Sequence, residues 1–325
     1  MKRRVAFMFA GQGCQYYQMG RELYERHPVF RECMDRMDRA ALTHLGESVL
    51  ATLYGPCGKG QPFDNILLTH PAIFMVEFSL ATTLMEAGIR PDLTLGSSLG
   101  TMAAVAVAGG LPADEALAMI VRQAQLIERQ CPRGAMIAVL GDPRLYEASP
   151  FLQARATIAG RNFASHFVLS TPHENREAVE AFLARAGAVH QRLPVPFPFH
   201  AHWIEPIREA LIEACPGTRV RPLAMPVVCC ATGMALASTA EDYFWRVARQ
   251  EMVLMEAVAS IEAEGPVDYV DLTPSATMAG FLKQLLAEGS ASRAWSAMSP
   301  FGRDVEVLDA LTTRLRAELS SCVQA

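Results

Sequence analysis

A serine set between two glycines is the most chemically suggestive feature of the chain. The stretch Leu93-Thr94-Leu95-Gly96-Ser97-Ser98-Leu99-Gly100-Thr101 places Gly-x-Ser-x-Gly after a short apolar run and before a small-residue run, Met102 to Ala108. That is the pattern of a nucleophile elbow, a sharp strand-to-helix turn that lifts the central serine clear of a sheet. The turn crowds the backbone, and Gly96 and Gly100 supply residues without side chains on either side of it. It also sets Ser98 at a helix N-terminus, where unpaired N–H groups favour an anion. A serine that attacks at neutral pH needs a base within hydrogen-bond reach. Among the eight histidines, His200 stands apart because it follows the stiff apolar run Pro194-Val195-Pro196-Phe197-Pro198-Phe199 and opens a helical segment. His202, two residues on, would face elsewhere. On these residues alone His200 reads either as the base or as an ordinary loop histidine.

The elements that must position these groups alternate between strand and helix. Residues 5–9 form a continuous apolar run suited to a strand buried on both faces, ending in the turn Gly11-Gln12-Gly13 with its free N–H groups. Helical periodicity follows over 19–50, interrupted at His27-Pro28, and the Gly- and Pro-rich stretch 54–65 reads as a loop. Pro71 is expected at the first position of an apolar helix running to residue 87, where its missing N–H costs nothing. A further helix is expected over 113–129. Beyond Pro132, strand-like runs at 135–140, 156–159, 167–170 and 188–193 alternate with helical stretches at 144–154 and 174–186, a ferredoxin-like rhythm. The prolines of 194–198 read as the return linker. A helix over 204–215, a strand at 226–231, one helix over 243–264, a strand at 267–272 and helices after Ser275, the last over 305–319, complete the pattern. The expected fold class is α/β: a large domain of residues 1–130 and 196–325, with residues 131–195 inserted as a small subdomain.

Composition limits the function classes. With 325 residues, 51% hydrophobic and 19% charged, the chain can bury a sizeable core. A net charge of −5 and the lack of basic runs with interleaved aromatics argue against nucleic acid as a partner. The eight cysteines (Cys14, Cys33, Cys57, Cys131, Cys215, Cys229, Cys230 and Cys322) show neither Cys-x-x-Cys nor zinc-ligand spacing, so no metal is expected. Scattered through apolar stretches, they behave as small hydrophobes and point to a reducing cytoplasm. Met1-Lys2-Arg3-Arg4 and the apolar run after it imitate a signal peptide, but the run is short and leads into Gly11-Gln12-Gly13, which favours a first strand. No stretch approaches 18 uninterrupted apolar residues, and no membrane span is expected.

Five motifs occur in one order: Gly11-Gln12-Gly13-Cys14-Gln15, Thr69-His70-Pro71-Ala72, Gly96-Ser97-Ser98-Leu99-Gly100, Gly134-Ala135-Met136, and Phe199-His200-Ala201-His202-Trp203-Ile204-Glu205-Pro206. Together they resemble the landmarks of the acyltransferase family that includes malonyl-CoA:acyl-carrier-protein transacylases and polyketide synthase acyltransferase domains. The resemblance spans about residues 4 to 290. It implies an α/β-hydrolase-like large domain with an inserted ferredoxin-like small subdomain, and a ping-pong transfer through an acyl-serine. It also implies Ser98 as nucleophile, His200 as base, and the backbone N–H groups of Gln12 and Leu99 as oxyanion hole. The histidine would be oriented by a main-chain carbonyl near Ala248 rather than by an acid. Substrate contacts would come from Gln123, His70, Ser97 and Phe199. No cofactor is implied, because phosphopantetheine arrives on the substrate.

The departures from the family pattern bear on specificity. Relatives that load malonyl groups carry an arginine in the helix after the elbow, where it grips the substrate carboxylate as a two-pronged fork. Here that position is Gln123, with Arg122 one residue before it. One residue along a helix rotates a side chain by about 100°, so Arg122 is expected to point away. A neutral glutamine cannot offset the desolvation of a buried carboxylate. Ser97, Thr101 and His70 replace the family's common histidine, glutamate and glutamine. His70 is read either as a residue beside the site or as a solvent-facing residue at a helix start. The pattern resembles the discrete homologues of trans-acyltransferase polyketide pathways that hydrolyse acyl groups from carrier proteins. The expected function is an acyl-acyl-carrier-protein hydrolase of polyketide biosynthesis. The alternatives are a transacylase working from acyl-CoA and, more remotely, a non-catalytic carrier-binding homologue.

Overall fold

A computed structural model describes residues 3–321. Cys322 and the first two residues of the signal-like start lie outside the described residues. Eleven strands are described: β1 (Arg4–Phe9), β2 (Leu93–Gly96), β3 (Gly134–Leu140), β4 (Thr157–Phe163), β5 (His166–Pro172), β6 (Val189–Arg192), β7 (Val227–Cys229), β8 (Met234–Ala235), β9 (Met252–Val253), β10 (Val267–Asp271) and β11 (Arg293–Ser296). They form two sheets, ordered β11-β10-β1-β2-β7-β8 and β6-β3-β5-β4-β9.

The larger sheet is parallel except at the short edge strand β8. Its centre is β1, buried along all but its first residue, as a strand covered by helices on both faces must be. The pairing Ala6↔Leu93 to Phe9↔Gly96 brings the C-terminal ends of β1 and β2 side by side. The loops that follow both strands therefore emerge at one edge of the sheet, where open α/β sheets place ligands.

The smaller sheet has the ferredoxin-like order expected from its strand and helix rhythm. β3 lies antiparallel to both β5 and β6, and β4 forms a hairpin with β5. The helix Arg176–Arg185 packs on one face through Val179 and Leu183. The fold class is thus an α/β large domain carrying a small ferredoxin-like subdomain. The fifth strand of the small sheet, β9, comes from beyond the inserted segment and pairs with β4 at Gly160↔Met252.

Two expectations about helices are corrected. The apolar helix spans Ile66–Glu86, so Pro71 lies inside it rather than at its start. Asn65 begins it by accepting the Leu67 N–H at 3.1 Å, a better N-cap than any residue near Pro71. The lost hydrogen bond at Pro71 is tolerated because nearly the whole helix is buried, between the helices Pro28–Leu45 and Ala113–Gln130. Its length and mean hydropathy of 1.4 would suffice to cross a membrane, yet 83% of its most apolar window is buried within the protein.

The single helix expected over 243–264 is two, Tyr243–Arg249 and Leu254–Glu262, separated by Gln250 to Val253. The break forms because Met252-Val253 pairs with β4, while Arg161 bonds Glu251 at 2.6 Å and Val253 N–H bonds the Cys230 carbonyl at 2.7 Å. These tertiary bonds override helix propensity, which is a weak prior. The short edge strands β8, exposed at both residues, and β11, half-buried throughout, carry no periodic signal in the sequence.

A Cβ on Gly100 would stand 2.4 Å from the Phe9 carbonyl carbon and 2.5 Å from its oxygen. Replacing glycine by alanine in a helix ordinarily gains about 0.5–1 kcal/mol. At this site the clash with β1 outweighs the gain, and Gly100→Ala is expected to lower stability by about 1–3 kcal/mol. Urea unfolding measures the sign. A raised midpoint would contradict this packing.

Candidate active site

The elbow is built where β2 ends. Ser98 lies in the left-handed region with φ 53°, and the helix Gly100–Val107 begins two residues later. A Cβ on Gly96 would meet the Thr101 Cα at 2.5 Å, so this turn closes only with glycine at that position. Non-glycine residues in this backbone region store strain of about 1–3 kcal/mol and cluster at functional sites.

Ser98 Oγ lies 2.9 Å from His200 Nε2. His200 Nδ1 lies 2.7 Å from the Gln250 carbonyl oxygen. A carbonyl only accepts, so Nδ1 carries the ring proton and Nε2 is left as the acceptor facing the serine. The orienting carbonyl therefore belongs to Gln250 rather than to Ala248. The Ala248 carbonyl instead accepts the backbone N–H of His200 at 3.1 Å. Gln250 is available because it sits in the break between two helices, where its carbonyl has no intrahelical partner. His200 itself has φ 58°, and the Ser170 hydroxyl donates to the carbonyl of Phe199 just before it. His202 is exposed and packs on Trp203 with ring centroids 4.2 Å apart.

Burial pushes the His200 imidazole down to about 4, and the nearby Arg249 adds to the shift, while the Gln250 carbonyl opposes it. The ring is therefore neutral, and able to accept a proton, throughout the neutral range.

The Gly11-Gln12-Gly13 turn lies against the elbow. A Cβ on Gly11 would stand 3.0 Å from Leu99 N and 3.2 Å from Ser98 Oγ. The backbone N–H groups of Gln12 and Leu99 donate to no backbone acceptor among the described residues. The turn is held by Gln12 Nε2 donating to Thr69 Oγ1 at 2.7 Å, and by Gln15, which accepts the Gly13 N–H and donates to the carbonyls of Phe63 and Pro194. Two such N–H groups beside a strained serine are of the type that can receive an oxyanion.

These groups open onto one cavity with about 140 Å³ of room. No arginine, lysine, aspartate or glutamate is among its lining residues. Gln123 is buried in its wall while Arg122 is exposed, as the helical rotation requires. His70, Ser97 and Phe199 also line it, and the His70 and Phe199 rings are tilted with centroids 5.7 Å apart. Burial holds His70 down at about 3, so that ring is neutral as well, and the solvent-facing reading of His70 is excluded. Ser97 donates to Met252 Sδ at 3.4 Å.

Several contributors had no signal in the sequence. The Gln250 carbonyl sits in a stretch that reads as helix interior. Asn162 and His166, bonded at 3.0 Å between Nδ2 and Nδ1, reach the cavity from the β4–β5 hairpin. Met252 arrives with β9.

Comparison with known proteins bears on family and fold. The model of the acyl transferase domain family matches residues 6–321. The chain is 38% identical over 305 residues to the polyketide biosynthesis acyltransferase homolog BaeD of Bacillus velezensis, covering 94% of each chain. It is 38% identical over 311 residues to the corresponding homolog PksD of Bacillus subtilis, covering 95% of this chain and 96% of that one. Among solved structures, the acyltransferase domain from the second module of the salinomycin polyketide synthase superposes with a TM-score of 0.84 at 27% identity, over 96% of this chain and 73% of that one. The fold is also that of MCAT from Streptococcus pneumoniae, with a TM-score of 0.78 at 23% identity over 96% of this chain and all of that one. With a family match across nearly its whole length and near full-length polyketide-associated relatives, the chain belongs to the acyl transferase domain family and is an acyltransferase-family enzyme of the polyketide-associated kind.

Proposed function

We propose that the protein is a serine acyl-enzyme that clears non-malonyl acyl groups from acyl carrier proteins by hydrolysis. Ser98 Oγ attacks the thioester carbonyl carbon as its proton passes to Nε2 of His200. The Gln12 and Leu99 N–H groups hold the oxygen that becomes negative. Collapse breaks the carbon–sulfur bond, and the phosphopantetheine thiol leaves with the proton from Nε2. A water then attacks the Ser98 ester, gives a proton to the same nitrogen, and the free acid departs as Ser98 recovers its hydrogen. The Gln250 carbonyl keeps the imidazole in the required tautomer at each step.

The observation that carries the choice of substrate is the uncharged cavity wall. A malonyl carboxylate entering it would lose its water without meeting a cation, a loss of about 1.5–3 kcal/mol relative to a site with a charge-assisted pair. Neutral acyl groups incur no such cost. A group with no carboxylate anchor also leaves room for a water at the ester carbonyl. The similarity to BaeD and PksD, named as polyketide biosynthesis acyltransferase homologs, supports carrier-bound intermediates as the substrates, with acyl-CoA a secondary donor. The seven described cysteines are free, which fits a cytoplasmic location.

Ser98→Ala is expected to reduce thioester turnover by several orders of magnitude and to abolish an acyl adduct visible by intact mass. His200→Ala should slow acylation about as much, because nucleophile and base act as one unit, and His202→Ala should have little effect. An adduct on any other residue, or the reverse ranking of the histidines, would refute the assignment.

The low His200 value sets the acid limb of the pH profile. Above about 4 the ring is unprotonated and competent, so kcat/KM should hold from pH 7 to near pH 5 rather than halve at 6.5. A midpoint near 6.5 would mean that the base is solvated.

Product analysis tests the reaction itself. Incubated with malonyl-, acetyl- and longer acyl-carrier proteins, the enzyme should prefer the neutral groups and release mainly free acid. Gln123→Arg should raise malonyl acylation roughly ten- to a hundredfold and lower hydrolysis of neutral groups. Rapid loading of malonyl from coenzyme A, handed to a carrier with little free acid, would replace the hydrolase with a transacylase.

A further inference from the structure

Behind the oxyanion turn lies a carboxyl group that none of the steps above uses. Glu77, on the helix Ile66–Glu86, has no solvent exposure. Its Oε1 accepts the Ala10 N–H at 2.9 Å, and its Oε2 is buried without a partner. Ala10 is the single residue between β1 and Gly11-Gln12.

The peptide joining Phe9 to Ala10 is held from three directions. Its carbonyl accepts the Ser97 N–H at 2.9 Å. Its N–H is held by Glu77. Gly100 presses on it so closely that a Cβ there would stand 2.6 Å from Ala10 N. Rotation of this peptide would swing the next two residues, and with them the Gln12 N–H.

We infer that Glu77 is a positioning residue for the oxyanion hole: by holding the Ala10 N–H it fixes the plane from which the Gln12 N–H is aimed. The inference rests on the reading of Ser98 as nucleophile and Gln12 as oxyanion donor. Only a neutral acceptor suits the position, because a negative charge behind the turn would oppose the oxyanion in front of it. The surroundings supply that neutrality. Burial pushes the Glu77 carboxyl well above the carboxylate range, and Asp271 adds to the shift. Asp271 accepts the N–H groups of Thr273 at 2.8 Å and Ala279 at 2.7 Å, and is raised only to about 6. Of the two acids, Glu77 therefore keeps its proton. The Cys14 thiol, whose Sγ donates to the Gly11 carbonyl at 3.1 Å, is raised by burial and likewise stays neutral.

Three substitutions separate the role from simple support of the fold. Glu77→Gln keeps a neutral acceptor at the same reach, Glu77→Asp keeps the acid but withdraws it, and Glu77→Met keeps the volume without an acceptor. Single-turnover acylation by an acetyl-carrier thioester is measured for each, with apparent substrate affinity, melting temperature and affinity for an alkylboronic acid. The boronic acid forms a tetrahedral adduct on serine and so reports on the oxyanion hole. Loss of a whole donor costs about 10²–10³ in rate, and mis-aiming one should cost at least about tenfold. Glu77→Gln is expected to stay within about threefold of wild type. Glu77→Asp and Glu77→Met should lose at least about tenfold in acylation and a matching factor in boronate affinity, with apparent thioester affinity nearly unchanged. Full acylation in folded Glu77→Asp or Glu77→Met overturns the inference, as does a Glu77→Gln variant as slow as Glu77→Met. If Glu77→Met does not fold, the Gln and Asp pair decides. An acyl adduct that survives Ser98→Ala overturns the nucleophile reading itself, which the Glu77 variants leave untouched.

Discussion

The approach of Gly100 to the peptide between Phe9 and Ala10 is the constraint on which the site is built. At that distance no side chain fits, so the first turn of the helix after the elbow rests on the end of the central strand. The same peptide accepts from Ser97 and donates to Glu77. The elbow, the Gly11-Gln12-Gly13 turn and the buried helix thus meet at one amide group. A scaffold of this rigidity is what a preorganised charge-stabilising site needs, since the donors must be aimed before the charge develops.

In the proposed mechanism, the base His200 is organised differently from one backed by an acid. A carbonyl oxygen fixes the imidazole tautomer as well as a carboxylate does, but it brings only a partial charge to offset the burial of the ring. The ring is consequently much harder to protonate than a solvated histidine. In the proposed mechanism the imidazolium exists only while the oxyanion faces it, and the two charges stabilise one another. Such a base works without a buried acid, at the cost of a weakly held proton.

In the proposed function, selectivity rests on the other wall of the cavity. The helix Ala113–Gln130 presents Gln123 inward and Arg122 outward, and no other lining residue brings a full charge. On the resemblance to the family pattern, the position that would recognise a dicarboxylic acyl unit holds a neutral amide, Gln123. Flexible Met102, Met136, Met252 and Met278 line the same space and can adapt to acyl groups of different shape.

Much of this was legible before the structure. Glycines flanking Ser98, the apolar run of β1 and the small-residue helix after the elbow are local signals, and local crowding demands those residue types. The ferredoxin-like rhythm was legible for the same reason, because strand and helix periods are properties of short segments. The outward turn of Arg122 followed from helix geometry once the family resemblance had set Gln123 at the site position. The Gln250 partner of His200 was not legible. Gln250 sits in a stretch whose pattern reads as continuous helix, and the break depends on Met252-Val253 finding β4 some ninety residues away in the chain. Nor could any pattern place Asn162 and His166 at the cavity or leave Glu77 dry beneath Ala10. Residue spacing records what neighbours along the chain must do, whereas hydrogen-bond partners and burial are set by segments that meet only when the whole chain has packed.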